Sequence, residues 1–276
     1  MQRLTGLNIL LLEVLAAMIC LGRAGAVTPL PEETALAKAW TAQHLSGEDT
    51  TALEPFFSFQ YGDDSSDSLI GRWKRTHTEK RLDEYRVQHE ITFEEGNGGI
   101  SIRCTAITYE DFPVVEWTLH FKNTGQNPTP LIRDIRALDL RLSGAPADTC
   151  ILHHNNGTYV NRTDYQPLST NLPPGETAAF TPRDGRPCAG AFPYFNLSMG
   201  NGGVIAVVGW PGKWAASFTR EETGGLHMTA GQETTHFKLL PGEEVRTPLI
   251  VLQFWQGDLT RSQNLWRRWM IRHNLP

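Results

Sequence analysis

The sequence predicts a mostly β protein, folded as a large antiparallel sandwich with a short helix near each end. Short runs that alternate apolar and polar residues occur along most of the chain, and Gly-, Pro- and Asn-containing turns separate them. Helical spacing of apolar residues is confined to two stretches near the ends. Alternation with a period of two describes strands with one buried face. Many such strands joined by short turns are typical of a sandwich or barrel.

Length and composition agree with one such domain or with two small ones. The chain has 276 residues, 40% of them hydrophobic, and a β-sandwich runs to about 250 residues as one unit. With 20% charged and 9% aromatic residues, the chain is not expected to be disordered. The formal net charge of −5 gives no basic footprint, so we expect neither a nucleic acid nor an anionic membrane as partner.

Residues 1–26 have the layout of a secretory signal peptide. Arg3 precedes an apolar run at 7–21, and the small residues Ala24-Gly25-Ala26 form an A-x-A cleavage site. The run is too short for a convincing membrane span, and Glu13 inside it is unfavourable. We therefore expect a secreted or periplasmic protein. An ordinary N-terminal extension and a misassigned start codon are the alternatives.

A helix is predicted at 31–45, within a lead-in segment at 27–54. A proline stands at its start, and four apolar residues are spaced for one face: Ala35, Leu36, Ala39 and Trp40.

The sandwich itself is predicted at 55–257. Its clearest strands are expected at 85–93, 100–109, 115–121, 203–210, 213–219, 234–240 and 248–255. Around 131–142 the apolar period slips between Ile135 and Leu138, which indicates a bulge or a bend.

The last segment, 258–276, is predicted to be helical. Asp258 can cap the helix, and one side carries Leu265, Trp266, Trp269 and Met270. An apolar face with two tryptophans needs a surface to dock on. That surface is either the sandwich itself or a domain that follows the helix.

Three cysteines remain once the predicted signal peptide is removed: Cys104, Cys150 and Cys188. The number is odd, so at least one thiol is free, and the sequence does not determine any disulfide pairing. Buried, reduced cysteines are the favoured interpretation.

Few residues point to chemistry, and we expect no metal site and no cofactor. The chain contains no nucleotide-binding, nucleophile-elbow or zinc-protease motif. His153 and His154 are neighbours, and neighbours on a strand point to opposite faces, so they rarely share a metal. A contact of His153 and Asn155 with a sugar hydroxyl at a loop tip is the functional alternative to a plain turn.

The turn at 209–214 carries two indoles, Trp210 and Trp214. Exposed tryptophans stack on sugar rings, whereas tryptophans in such turns more often fill the core, and the second interpretation is favoured. Glu116 is interpreted as a solvated or cross-strand-paired side chain rather than a catalytic acid. A retaining glycosidase needs two carboxyls about 5 Å apart, and sequence spacing nominates no pair.

Several stretches resemble one family. They are PFFSFQYG at 55–62, DFPVVEW at 111–117, FPYFNL at 192–197, GWPGKWAASF at 209–218 and LPGEEVRTP at 240–248. In this order, over roughly 55–276, they resemble the N-terminal β-sandwich of glycoside hydrolase family 36, the α-galactosidases of the melibiase type.

The resemblance implies a galactose-mutarotase-like supersandwich followed by a (β/α)8 barrel. In that family the barrel carries the catalytic aspartates and cleaves α-galactosides with retention. No residue here matches those catalytic motifs, so none is assigned. The helix at 258–276 resembles the linker into the barrel, which is expected C-terminal to it. Loops at 109–117 and 153–159 are candidates for reaching a neighbouring active site.

The expected function is therefore that of the non-catalytic domain of a secreted α-galactosidase-like glycoside hydrolase, inactive alone. One alternative is a stand-alone carbohydrate-binding module that holds an α-galactoside through Trp210, Trp214, His153 and Asn155. Another is a mutarotase-like epimerase using a histidine acid and a carboxylate base. The exact sugar, assembly into a homo-oligomer, and whether the chain is a fragment or a natural truncation stay open.

Overall fold

A computed structural model describes residues 26–46, 55–96, 98–142 and 149–275. The predicted signal peptide lies outside the described residues, except for Ala26. Among the described residues there are three α-helices: α1 (Pro31–His44), α2 (Ser66–Leu69) and α3 (Leu259–Trp269). A 3-10 turn (Ile70–Arg72) follows α2, and a π-helical turn (Met270–Asn274) follows α3.

The same residues form eighteen strands, so the predicted mostly β, antiparallel fold is confirmed. The strands are β1 (Ser58–Tyr61), β2 (Asp64–Ser65), β3 (Lys74–Arg81), β4 (Arg86–Glu94), β5 (Ile100–Tyr109), β6 (Val114–Asn123), β7 (Ile132–Arg136), β8 (Leu138–Leu142), β9 (Cys150–Asn155), β10 (Pro167–Asn171), β11 (Thr177–Phe180), β12 (Tyr194–Met199), β13 (Gly202–Gly209), β14 (Trp214–Arg220), β15 (Leu226–Gln232), β16 (His236–Phe237), β17 (Glu244–Arg246) and β18 (Leu249–Gln256).

Three antiparallel sheets make the sandwich. The largest has ten strands in the order β10-β9-β12-β13-β18-β6-β5-β4-β3, with β17 added beside β6. Two four-stranded sheets, β16-β7-β1-β2 and β11-β14-β15-β8, cover what we call the inner face of the large sheet. The main core between them is rich in aromatic rings. Trp117 of β6 stacks on Trp40 of α1 with ring centroids 5.2 Å apart, and its indole N–H donates to the carbonyl of Ala137 at 2.8 Å.

The slip in apolar period at Ile135 to Leu138 marks a change of sheet. Strands β7 and β8 are separated by Ala137 alone, yet they belong to different four-stranded sheets. One strand prediction needs correction. Residues 234–240 form strand only at His236–Phe237, and most of the segment runs irregularly along the edge of its sheet.

Helix α1 forms where predicted and buries Trp40 as expected, but the other predicted face residues, Ala35, Leu36 and Ala39, are exposed. The helix buries Glu33, Ala37, Trp40 and His44, while Leu36 stays 42% exposed. A buried carboxylate is tolerated only when it is paired and hydrogen-bonded. Glu33 meets that condition, because Arg261 of α3 donates to it at 2.7 Å.

Helix α3 docks on the sandwich, on the outer face of the ten-stranded sheet. Its N-cap is Asp258, as predicted, which accepts a hydrogen bond from the Arg261 amide at 2.7 Å. Leu265 and Trp269 are fully buried in a second core. That core lies against Ile205, Val251 and Trp255 of strands β13 and β18, among others.

No helix among the described residues is long and apolar enough to cross a membrane.

Candidate functional site: a polar groove on the outer face

Polar side chains gather on the part of the outer face that lies beside α3. Strand register places them side by side: Arg103 of β5 lies opposite His120 of β6, and Arg246 of β17 lies opposite the same histidine. Glu116 lies further along β6, opposite Ile107. Together these side chains line an open groove of about 350 Å³. We call it the outer-face groove.

Glu244 of β17 organises the charged end of this groove. Its Oε1 accepts a hydrogen bond from Arg103 Nη2 at 3.1 Å and lies 3.0 Å from His120 Nδ1. Burial lowers the pKa of His120, and the neighbouring Arg103 cation lowers it further, although Glu244 opposes both. This lowered pKa favours the neutral form of the imidazole at pH 7. The groove thus offers a guanidinium donor, a carboxylate acceptor and a neutral imidazole to a polar ligand.

Glu116 is tied to a neighbouring tyrosine rather than to a second carboxylate. Burial raises the pKa of Glu116, while the hydroxyl of Tyr109, which donates to its Oε1 at 2.8 Å, opposes that rise. Glu244 pairs with Lys122, six residues along β6 from Glu116. At roughly 3.3 Å per strand residue the two backbone positions are about 20 Å apart, much further than the carboxyl pair of a retaining glycosidase. Glu116 and Glu244 therefore do not form such a pair.

Trp210 is the predicted site residue that contacts a residue of the groove lining, Arg246. It follows β13, is half-buried, and carries the guanidinium of Arg246 over its ring at 5.3 Å from the centroid. This cation–π contact links the indole to the groove lining.

Trp214, in contrast, lies in the main core. It is 0% exposed, and its indole N–H donates to the carbonyl of Pro187 at 2.8 Å. Its ring packs against Phe195 at 5.8 Å between centroids. In this position it fills the core, which is the interpretation that the sequence favoured.

His153 and Asn155 lie on strand β9 and not at a loop tip. His153 Nδ1 is 2.8 Å from the hydroxyl of Ser169, and the side-chain amide of Asn155 donates to the carbonyl of Tyr165 at 3.1 Å. In the sheet order β9 is four strands from β6, about 19 Å at the usual strand spacing. The structure therefore does not bring them to the part of the outer-face groove that lies on β6.

The two candidate loops also need new boundaries. In 109–117 only residues 110–113 connect strands, and Val114 already belongs to β6. This connection packs on the end of α3, where His273 Nε2 lies 3.0 Å from an oxygen of Asp111 and the ring of Phe112 meets the same imidazole edge-on. In 153–159 the strand continues to Asn155, and the connection begins at residue 156.

A second polar cluster was missed at the sequence level. His77 and Glu79 of β3 and His89 of β4 place three donor atoms of the kind that bind metals within 4.8 Å of one another, on the inner face. The available signal was the H-x-E pattern, since residues i and i+2 share a face. The hairpin register that brings His89 opposite Glu79 was not predicted.

Comparison with known proteins supports the resemblance at the level of the fold. Neither a known protein family nor a curated protein matches the sequence. Among solved structures, the α-galactosidase from Lactobacillus brevis aligns with a TM-score of 0.59 and 11% identity, covering 79% of this chain and 31% of that one.

Two further structures agree. The GH36 α-galactosidase AgaB from Geobacillus stearothermophilus has a TM-score of 0.57 and 18% identity, over 78% of this chain and 32% of its own. The α-N-acetylgalactosaminidase NagBb from Bifidobacterium bifidum has a TM-score of 0.50 and 12% identity, over 80% of this chain and 34% of its own. The fold is thus related to that of the GH36 enzymes. The chain spans about a third of the length of these relatives.

Proposed function

We propose that this chain is the N-terminal, non-catalytic β-sandwich of a secreted α-galactosidase-like glycoside hydrolase. In this proposal a barrel domain attached after α3 hydrolyses terminal α-galactosides. The observation that carries it is the pattern of coverage. About four-fifths of this chain matches one third of each α-galactosidase, and the rest of those enzymes has no counterpart in it.

The placement of α3 supports the same proposal. Asp111 and Phe112 of the β5–β6 connection pack on His273, in the π-helical turn at the end of the helix. A domain attached after this turn would begin beside that connection. Ile271 and Leu275, which are 65% and 57% exposed, would then meet it with apolar surface.

The test is hydrolysis of an aryl α-galactoside by the purified chain. We expect no release of the aryl group above that of a mock purification from the same host. Release that exceeds the mock and co-purifies with the chain would overturn the proposal. Secretion is supported by the sequence pattern at 1–26 alone, and N-terminal sequencing of the exported protein tests it.

A second candidate function is carbohydrate binding by the outer-face groove. Arg103, Glu244 and His120 supply polar partners for hydroxyl groups, and Trp210 contacts Arg246 of the groove lining. Sites that bind small polar ligands combine a few such groups with an aromatic surface. Raffinose is a suitable probe, since a doubly substituted variant of AgaA from G. stearothermophilus has been crystallised with it.

Calorimetry separates this candidate from a purely structural role. If the groove binds sugar, raffinose releases heat, and Arg103→Ala and Trp210→Ala each abolish it. Arg133→Ala is the matched control, because Arg133 is similarly exposed but lies on β7 in another sheet. If neither raffinose nor melibiose releases heat, the outer-face groove has a purely structural role. Heat that persists in both groove variants would place binding elsewhere.

A further inference from the structure

The inner face of the ten-stranded sheet carries a compact set of metal-ligating atoms on the edge strand β3 and its neighbour β4. His77 and Glu79 are two residues apart on β3, so their side chains point to the same face of the sheet. Glu79 lies directly opposite His89 of β4. His77 Nε2 is 3.4 Å from His89 Nδ1 and 3.7 Å from Glu79 Oε1. His89 Nδ1 is 3.3 Å from the same oxygen.

These distances fit one small cation. A zinc ion binds His nitrogen and carboxylate oxygen at about 2.0–2.1 Å in a tetrahedral site, which sets neighbouring ligand atoms about 3.4 Å apart. The three measured separations lie within about 0.3 Å of that value. The two imidazole planes differ by 3° and their centroids are 5.6 Å apart. With the nitrogens only 3.4 Å apart, the rings face each other through their nitrogen-bearing edges.

One tautomer of His89 suits metal binding. His89 Nε2 lies 3.0 Å from the hydroxyl of Thr108, which lies 3.5 Å from the carbonyl of Val87. When Nε2 carries the ring proton, it donates to the threonine oxygen, and Nδ1 presents its lone pair toward His77 and Glu79. An outer hydrogen bond of this kind is what orients a metal-bound histidine.

A cavity gives access to the fourth coordination position. Glu79, His89 and Thr108 line a space of about 310 Å³ between α1 and strands β3–β6. Lys38 and Arg81, which also border it, are ion-paired with Glu110, at 3.9 and 3.3 Å. Three protein ligands with a remaining open position distinguish such a site from closed structural zinc sites, which have four protein ligands.

We propose that His77, Glu79 and His89 bind a divalent transition-metal ion of the zinc type, with a water molecule from the cavity completing the coordination. The set of two imidazoles and one carboxylate favours zinc, copper, nickel or cobalt over magnesium or calcium, which prefer oxygen ligands. The site lies on the opposite face of the sheet from the outer-face groove. The proposal therefore does not depend on the proposed function.

The test is metal titration of the full, untagged chain after treatment with a chelator. We expect Zn²⁺ to bind with one equivalent per chain by calorimetry, and Co²⁺ to give the visible absorption of a tetrahedral nitrogen and oxygen site. Glu79→Gln and His77→Ala should each weaken Zn²⁺ binding at least about 100-fold, and Thr108→Val, which removes only the outer hydrogen bond, about 10-fold.

Controls make the outcome decisive. Glu79 is 50% exposed, so Glu79→Gln tests the site without disturbing the core, whereas His89 is buried and its removal can also affect folding. His236→Ala removes an exposed histidine on β16, in another sheet, and should leave Zn²⁺ affinity unchanged. No stoichiometric Zn²⁺ binding would overturn the proposal. The proposal would also be overturned if Glu79→Gln and His77→Ala bound Zn²⁺ as tightly as His236→Ala does.

Discussion

The buried ion pair between Glu33 and Arg261 offers the sharpest stability prediction. It joins α1 to α3 across the edge of the sandwich. The carboxylate is 0% exposed and accepts three hydrogen bonds, from the Leu30 amide at 2.7 Å, the Gln256 amide at 2.8 Å and Arg261 Nη2 at 2.7 Å. The perturbation is Arg261→Ala, which leaves the carboxylate buried without its counter-charge.

The expected cost follows from that geometry. Removing one partner of a buried pair costs about 3–5 kcal/mol. Arg261 keeps 19% of its side chain exposed, so water can partly replace it and the lower end, about 3 kcal/mol, applies. For a chain of this size that corresponds to a fall of roughly 6–12 °C in Tm. The arginine also donates to the carbonyl of Thr28 at 2.9 Å, so the lead-in before α1 should loosen as well.

Urea unfolding followed by tryptophan fluorescence measures this cost. Arg267→Ala is the matched control, because it removes the same charge from an exposed position on α3 and should change stability by less than about 0.5 kcal/mol. In a Glu33→Gln background, Arg261→Ala should cost clearly less, since no buried charge remains. Equal effects of Arg261→Ala and Arg267→Ala would refute the reasoning that this pair holds the two helices on the sandwich.

Two further predictions concern the core and the pH dependence of stability. Gly203→Ala should lower the free energy of unfolding, measured with urea, by about 3 kcal/mol. The reason is that a Cβ at this position would collide with the carbonyl of Leu197. Gly71→Ala, which meets no atom within 4 Å, should be nearly neutral. For Asp139, burial alone would raise the pKa, but hydrogen bonds from His227 and Ser58 outweigh it and lower the pKa below the ordinary 3.8. Its stabilisation is therefore present above about pH 4 and lost as pH falls through the lowered value. Asp139→Asn should cost about 1–3 kcal/mol at pH 7 and progressively less below pH 4, whereas a constant difference between wild type and variant down to pH 3 would contradict this assignment.

Much of the fold could be predicted because strands and helices depend on local periodicity. The strand at Ile100–Tyr109 forms as predicted, and so does the Asp258-capped helix with its buried tryptophan. The prediction failed where a partner distant in sequence decides the outcome. Helix α1 turns Glu33 inward and Leu36 outward because Arg261, more than two hundred residues later, neutralises the carboxylate.

The candidate site depended even more on long-range register. Arg103 and Glu244 are 141 residues apart and meet only because β17 adds to the large sheet beside β6. His153 and Asn155 looked exposed in sequence, but pairing of β9 with β10 makes them strand residues. The cluster of His77 and His89 was not predicted either, because no contiguous motif joins these residues and only the pairing of β3 with β4 brings them together.

We propose that this chain is a sandwich domain without catalytic activity of its own. The most direct measurement is steady-state hydrolysis of 4-nitrophenyl α-galactoside by the purified chain, compared with Glu116→Gln and with a mock purification from a host that lacks α-galactosidase. We predict that nitrophenol release is equal in all three. Turnover by the wild-type chain that disappears in Glu116→Gln would contradict the account, because it would place a catalytic carboxyl in the sandwich itself.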